Sequence, residues 1–181
     1  MRVHILGASG SGTTTLAAAI SSRLSIRHFD TDAFYWAESE IPFTVKRPVE
    51  ERLELLRREF DACDRWVLSG SMCGWGDELV PMFTHVIFLY VPWVIREQRL
   101  LNREVQRYGE EAILPGGRMH EVHQAFLEWA SKYDDAGYEQ RSLATHNRWL
   151  ERLPDSCYVL RIEEPGELDA IVKHSLAWLG E

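Results

Sequence analysis

Gly7-Ala8-Ser9-Gly10-Ser11-Gly12-Thr13-Thr14 separates a short apolar run, Val3-His4-Ile5-Leu6, from the helix-favouring Leu16-Ala17-Ala18-Ala19-Ile20. Strand, glycine turn and helix in that order form an anion cradle. Glycine takes backbone angles barred to other residues, so successive N–H groups turn toward one point, and the following helix adds the positive end of its dipole. Phosphate is the expected guest, with Gly7 to Thr14 and the adjoining Thr15 as nucleotide contacts. The spacing follows G-x-x-x-x-G-K-[ST] except that Thr13 stands at the lysine position, while Thr14 keeps the hydroxyl that ligates Mg²⁺. Threonine is too short and uncharged to reach the β- and γ-phosphates of ATP. Either the chain binds nucleotide without catalysis, or another cation does the lysine's work.

Further apolar runs at 26–30, 66–69, 85–91 and 157–162 join the first at 2–7, with helical segments between them. Val49, Leu53, Leu56 and Phe60 recur at helical spacing, as do Leu168, Val172 and Leu179. This alternation predicts an α/β fold: a three-layer sandwich with a five-stranded parallel sheet and helices on both faces. With 181 residues, 45% hydrophobic and 27% charged, one domain spanning 1–181 is expected. No signal-peptide or membrane-spanning stretch is evident, and Cys63, Cys73 and Cys157 form no C-x-x-C pair, so a reducing, cytoplasmic setting is expected. A net charge of −8 opposes non-specific binding to nucleic acid or an anionic membrane, so any anion must meet a local site.

Ligands of such sheets gather at the carboxyl ends of strands. Asp30 and Asp32 follow the second apolar run, one residue apart. Beside a phosphate loop, Asp30 is expected to help hold Mg²⁺ and Asp32 to orient or deprotonate an acceptor; as ordinary strand-end acids, Asp32 would cap the following helix and Asp30 make a turn bond instead. Phe34, Tyr35 and Trp36 line an acceptor pocket or fill the core.

After the fourth run, Arg96, Arg99, Arg103 and Arg107 fall at i, i+3, i+7 and i+11, one stripe of a helix. No acid lies three or four residues from Arg96 or Arg99, whereas Glu104 is spaced for Arg107. Guanidinium forks match phosphate oxygens, so Arg96, Arg99 and Arg103 are expected to act in catalysis, and Arg99, Arg103 and Arg107 to hold nucleotide. Gly109, Pro115, Gly116 and Gly117 interrupt the helix; residues 107–120, carrying Arg118 as a further nucleotide contact, have the form of a lid. His120 and His123 lack the H-E-x-x-H spacing. A long helix is expected from about Val122 to Leu153, with Phe126, Leu127, Trp129 and Ala130 for packing, and with Arg141 and Arg148 either reaching the site or standing as surface charges.

Taken together, the N-terminal loop, Asp30-Thr31-Asp32, the arginine helix and the lid candidate resemble the small P-loop kinases: nucleoside monophosphate kinases, adenylate and cytidylate kinases among them, and shikimate and gluconate kinases. The Asp30-Thr31-Asp32 element is most similar to shikimate kinases; Trp66-Val67-Leu68-Ser69-Gly70-Ser71 and Val91-Pro92-Trp93 resemble adenylate-kinase-related topology modulation proteins. Gly10-Ser11-Gly12-Thr13-Thr14-Thr15 resembles archaeal-type cytidylate kinases, which carry threonine at the lysine position and are kinases nonetheless. The resemblance implies ATP as phosphoryl donor, Mg²⁺, and a small-molecule acceptor received within about 33–62, a nucleoside monophosphate ahead of a hydroxylated metabolite. Where these kinases place an acid-glycine pair after the third strand, this chain has Ser69-Gly70; with Thr13, that departure sustains the alternative of a catalytically impaired nucleotide sensor or regulatory module.

Overall fold

The computed structural model describes residues 1–164 and 166–181. Five strands, β1 (Arg2–Gly7), β2 (Arg27–Asp30), β3 (Trp66–Ser69), β4 (His85–Leu89) and β5 (Tyr158–Ile162), form one parallel sheet in the order β2-β3-β1-β4-β5. The apolar runs become these strands with shifts of one or two residues at their ends. β1 is central: Val3 pairs with Val67 of β3 on one side and His85 of β4 on the other.

Side-chain alternation along β1 explains the two covered faces. Val3 and Ile5 pack with Leu16, Ala17 and Ile20 of α1 (Thr13–Leu24) and with Val172 near the C-terminus. Leu6 faces the other way, into a core of Leu56, Phe60, Trp66, Leu68, Phe88 and Trp149. The remaining helices are α2 (Thr31–Tyr35), α3 (Val49–Asp61), α4 (Trp93–Tyr108), α5 (Glu110–Ile113), α6 (His120–Ser131), α7 (Leu143–Leu150) and α8 (Leu168–Leu179), with a 3₁₀ turn at Asp77–Met82. Within α3 the apolar stripe behaves as its spacing requires, since Leu53, Leu56 and Phe60 are buried, although Val49 at its first turn stays exposed.

One expected helix is two. The stretch from Val122 to Leu153 breaks between Ser131 and Leu143, because Ser142 caps α7 by accepting from the Thr145 N–H at 3.0 Å and the Leu143 N–H turns back to Tyr133 O at 2.8 Å. The segment between α4 and α6 is a packed turn: Gly109 ends α4 at φ 82°, Ile113 and Met119 are buried, and the Met119 N–H donates to Ala112 O at 2.9 Å. After α2, Trp36 and Lys46 form an antiparallel bridge, so residues 37–45 fold back as a loop beside the carboxyl ends of the strands.

Candidate functional site: two cavities at the carboxyl end of the sheet

The glycine loop leaves β1 and enters α1 through Gly10 at φ 83° and Gly12 at φ 98°. A Cβ on Gly10 would stand 2.9 Å from the Arg96 carbonyl oxygen, so helix packing as well as turn geometry demands glycine there. Among the described residues no side chain caps α1, which leaves its first-turn amides aimed at the loop's concavity. Thr14 Oγ1 donates to Asp30 Oδ2 at 2.8 Å, and Asp30 Oδ1 accepts the Asp32 N–H at 2.9 Å. The helix cap expected of Asp32 falls instead to Asp30: one of its oxygens takes the first-turn amide of α2 while the other stands against the loop hydroxyl. Parallel pairing sets Ser69 beside Asp30, and Ser69 Oγ donates to Asp30 Oδ2 at 3.0 Å with His28 Nε2 2.9 Å behind it. Burial pushes His28 downward in pKa against an opposing pull from Asp30. Thr14 and Asp30 offer hard oxygens, the donor chemistry Mg²⁺ takes beside phosphate.

Two cavities open here. One, about 690 Å³, is lined by the glycine loop, Asp30, Gly70, Ser71 and Arg99, and matches the size of a small-ligand site. The other, about 670 Å³, is lined by Tyr35, Trp36, Lys46, Trp75, Phe126 and Trp129 among others. Ser9, Asp32, Phe43, Arg103, Arg107 and Arg141 line both. Asp32 is exposed by area, yet its open side looks into these cavities rather than into bulk water. Desolvation and the neighbouring Asp30 raise its pKa, against the pull of Arg141 and Arg103.

The arginine stripe divides. Arg96 is fully buried: Nε donates to Val91 O at 2.8 Å, Nη1 to Ala130 O at 3.2 Å and Nη2 to Asp134 Oδ2 at 2.9 Å. It lines neither cavity, which corrects its expected phosphate role; its acid is tertiary and comes from the segment between α6 and α7. Arg99 lies on the glycine loop, Nη1 donating to Ser11 O at 3.2 Å and Gly10 O at 3.4 Å. Arg103 Nη2 is 3.0 Å from Glu104 Oε1 and Arg107 Nη1 is 3.9 Å from the same atom, while His123 Nδ1 is 4.0 Å from the other carboxylate oxygen. One buried carboxylate thus counters both arginines. Arg118 is exposed and lines neither cavity. Arg47 donates to Phe34 O, Trp36 O and Glu51, so of the basic pair at 46–47 it is Lys46 that faces the second cavity.

Arg141, expected on a helix and either reaching the site or standing as a surface charge, lies instead near the end of the 132–142 connection and lines both cavities. The signal was the helix break marked by Gly137 and the capping Ser142. Rings of the second cavity carry the shared cations: Arg107 lies 4.8 Å from the Phe43 ring centre, Arg141 5.4 Å from Trp129 and Arg103 5.5 Å from Phe126. Phe126 and Trp129 were legible only as helix packing.

A parallel sheet whose central strand feeds a glycine loop into α1, with acids and arginines gathered at the strands' carboxyl ends, is the fold of the P-loop NTPases and, within them, of the small kinases. The chain belongs to the AAA domain family, which matches residues 3–125. It is 49% identical over 177 residues to the uncharacterized protein YqaC of Bacillus subtilis (strain 168), covering 98% of this chain and 96% of that protein. Its fold resembles a sugar kinase from Janibacter sp. HTCC2649, with TM-score 0.55 at 15% identity over 99% of this chain and 94% of that one. It likewise resembles the shikimate kinase of Acinetobacter baumannii solved with shikimate, with TM-score 0.54 at 15% identity over 98% and 92% of the two chains. At such identity the likeness is one of fold. Among the described residues no helix is long and apolar enough to cross a membrane.

Proposed function

We propose that the chain is an ATP-dependent phosphotransferase acting on a small molecule. The observation that carries this reading is the shared border of the two cavities at Asp32, Arg103, Arg107 and Arg141. A donor held by the glycine loop and an acceptor in the aromatic cavity meet there, which is the positioning phosphoryl transfer requires. The loop residues Gly7 to Thr15 hold the donor's phosphates. Thr14 and Asp30 hold Mg²⁺, directly or through water, and the cation offsets phosphate charge when bound. Arg99 and Arg103 supply the positive charge that Thr13 does not, with Arg107 and Arg141 beside them. Asp32 orients the acceptor and, for a hydroxyl acceptor, takes its proton as the oxygen bonds to the γ-phosphorus and the bond to the β–γ bridging oxygen breaks, releasing ADP. Residues 33–62 receive the acceptor and 107–120 close the far side.

A nucleoside monophosphate is favoured over a hydroxylated metabolite. Supporting that choice are rings from two segments, Trp36 and Phe43 on one and Phe126 and Trp129 on the other, lining a cavity whose arginines lie against them. A planar base suits the rings and a phosphate suits the guanidiniums. Coupled measurement of ADP release over a panel of nucleoside monophosphates, sugar acids and shikimate tests the reading: turnover dependent on one acceptor is expected. Tight ATP binding with transfer to no member of the panel would instead support a nucleotide sensor.

A further inference from the structure

Behind the phosphate cavity runs a buried polar chain that the transfer scheme leaves unused. Ser71 follows Gly70, which turns the backbone at φ 98° immediately after β3, and Ser71 lines the phosphate cavity while remaining 4% exposed. Its Oγ lies 2.9 Å from His146 Nε2, and His146 Nδ1 lies 2.7 Å from the Tyr133 hydroxyl. His146 is fully enclosed, and burial, reinforced by Arg141 and His4, pushes its pKa down to about 3, so the ring is neutral and carries a single proton. Tyr133 is held protonated, its pKa raised chiefly by burial.

The direction of the chain follows from donor strength. A phenol is a better donor than a neutral imidazole N–H, and an unprotonated imidazole nitrogen is a good acceptor. Tyr133 therefore donates to Nδ1, which places the imidazole proton on Nε2, where it is donated to Ser71 Oγ. With its oxygen already accepting, the Ser71 hydroxyl is left to donate. The nearby protein acceptor is the Cys73 thiol, a weak one lining the second cavity. A phosphate oxygen is a far stronger acceptor.

We propose that Ser71 Oγ–H donates to an anionic phosphate oxygen in the phosphate cavity, and that His146 and Tyr133 are positioning residues that fix the direction of this donor. The inference rests on the phosphotransferase reading for the identity of the anion, which is either on the nucleotide or on the acceptor. It adds to the arginines a neutral, preorganised donor that costs no reorganisation when charge develops.

The test uses the full chain with Ser71→Ala and Tyr133→Phe, each checked for folding by circular dichroism. Loss of a neutral donor to a charged oxygen is expected to weaken the affected step about 10- to 100-fold in Ser71→Ala. Tyr133→Phe, which frees the imidazole to change tautomer, is expected to give a smaller loss in the same parameter. A loss in ATP affinity places the contact on the nucleotide; a loss in kcat/KM at unchanged ATP affinity places it on the acceptor or the transferring group. Nitrogen-15 NMR of His146 is expected to show the Nε2–H tautomer in the unmodified protein and a change in Tyr133→Phe. An Nδ1–H tautomer, or a folded Ser71→Ala protein with ATP affinity and turnover both unchanged, overturns the proposal. If the unmodified protein transfers phosphate to nothing, the phosphotransferase reading fails while ATP affinity and the His146 tautomer still decide this one: unchanged affinity in Ser71→Ala then overturns it.

Discussion

Arg96→Met separates the structural arginine of α4 from those at the cavities. The Arg96 side chain is 0% exposed and ends on Asp134, whose side chain is 23% exposed. Its Nε and Nη1 donate to the carbonyls of Val91 and Ala130. Methionine retains the length and apolar contact but leaves two enclosed carbonyls and a carboxylate without their donor. Breaking a buried ion pair from one side costs about 3–5 kcal/mol. Against a total stability of roughly 5–15 kcal/mol this is a large fraction, and at about 2–4 °C per kcal/mol for a chain of this size the melting temperature should fall by roughly 6–20 °C. Changing Asp134 to leucine in the same chain should recover part of the loss, because the orphaned carboxylate goes too. Thermal unfolding followed by circular dichroism gives the shift; phosphoryl transfer is then measured well below the lowered melting point. Arg99→Met is the contrast: its guanidinium rests on two loop carbonyls, so melting should stay within about 0.5 kcal/mol. A folded Arg96→Met protein that melts as the parent does but has lost transfer would refute the assignment and return Arg96 to the phosphate.

In Arg99→Met or Arg103→Met, transfer should drop by about 10³-fold, as when an arginine finger is removed, and full turnover in both would place the compensating cation elsewhere. Asp32→Asn should suppress turnover more than ATP affinity; equal losses would move that acid into the metal site. Because desolvation and Asp30 raise the folded pKa of Asp32, transfer that needs the carboxylate should fall, as pH is lowered, at a value above the ordinary 3.8, and the same acid limb in Asp32→Asn would exclude this group. The raised pKa also means that Asp32 favours folding at low pH and loses that contribution as pH rises through its folded value. Asp32→Asn should accordingly melt higher than the parent at neutral pH, with the difference vanishing in acid. Burial pushes His4 down to about 3, with a smaller opposing contribution from the Leu68 backbone, and His146 is likewise at about 3. Both histidines protonate first in the unfolded chain, so each ring should add a downward slope to stability as pH falls below its ordinary 6.5. His4→Leu should remove one of these two slopes in urea titrations at stepped pH, and an unchanged slope would refute a neutral His4.

The parts of this molecule that were legible in its sequence are those fixed by local spacing. Continuous apolar runs specify β1, β3 and β4, because a strand covered on both faces must be apolar along its length, while the edge strands β2 and β5 are partly exposed and admit Arg27 and Arg161. The glycine loop was legible down to its residues, since positive φ at Gly10 and Gly12 and a hydroxyl at Thr14 are local requirements. Asp30 and Asp32 were read as one site, and the structure divides their contacts: Asp30 bonds Thr14, Ser69 and the α2 amide, while Asp32 faces both cavities. Spacing alone puts the cap on Asp32, whereas the extended backbone at Asp30 lets that residue cap α2 and still turn its second oxygen to Thr14.

Helical spacing tells which residues share a face and says nothing about what that face meets. Arg96 and Arg99 are three residues apart on one stripe, yet the first is opposed by Asp134, 38 positions away in sequence, and the second by the glycine loop. The lysine missing at Thr13 is visible in the sequence at once, whereas the arginines proposed to act in its place reach the cavity from separate segments: Arg99 and Arg103 from α4 and Arg141 from the connection before α7. That connection also supplies Asp134 to anchor α4 through Arg96 and Tyr133 to the His146 chain behind Ser71. Residues 132–142 therefore join the cation-bearing helix to the border of the two cavities. A change there reaches the site without touching the loop, because the arginines beside the glycine loop, proposed to carry the lysine's charge, are brought together by tertiary structure.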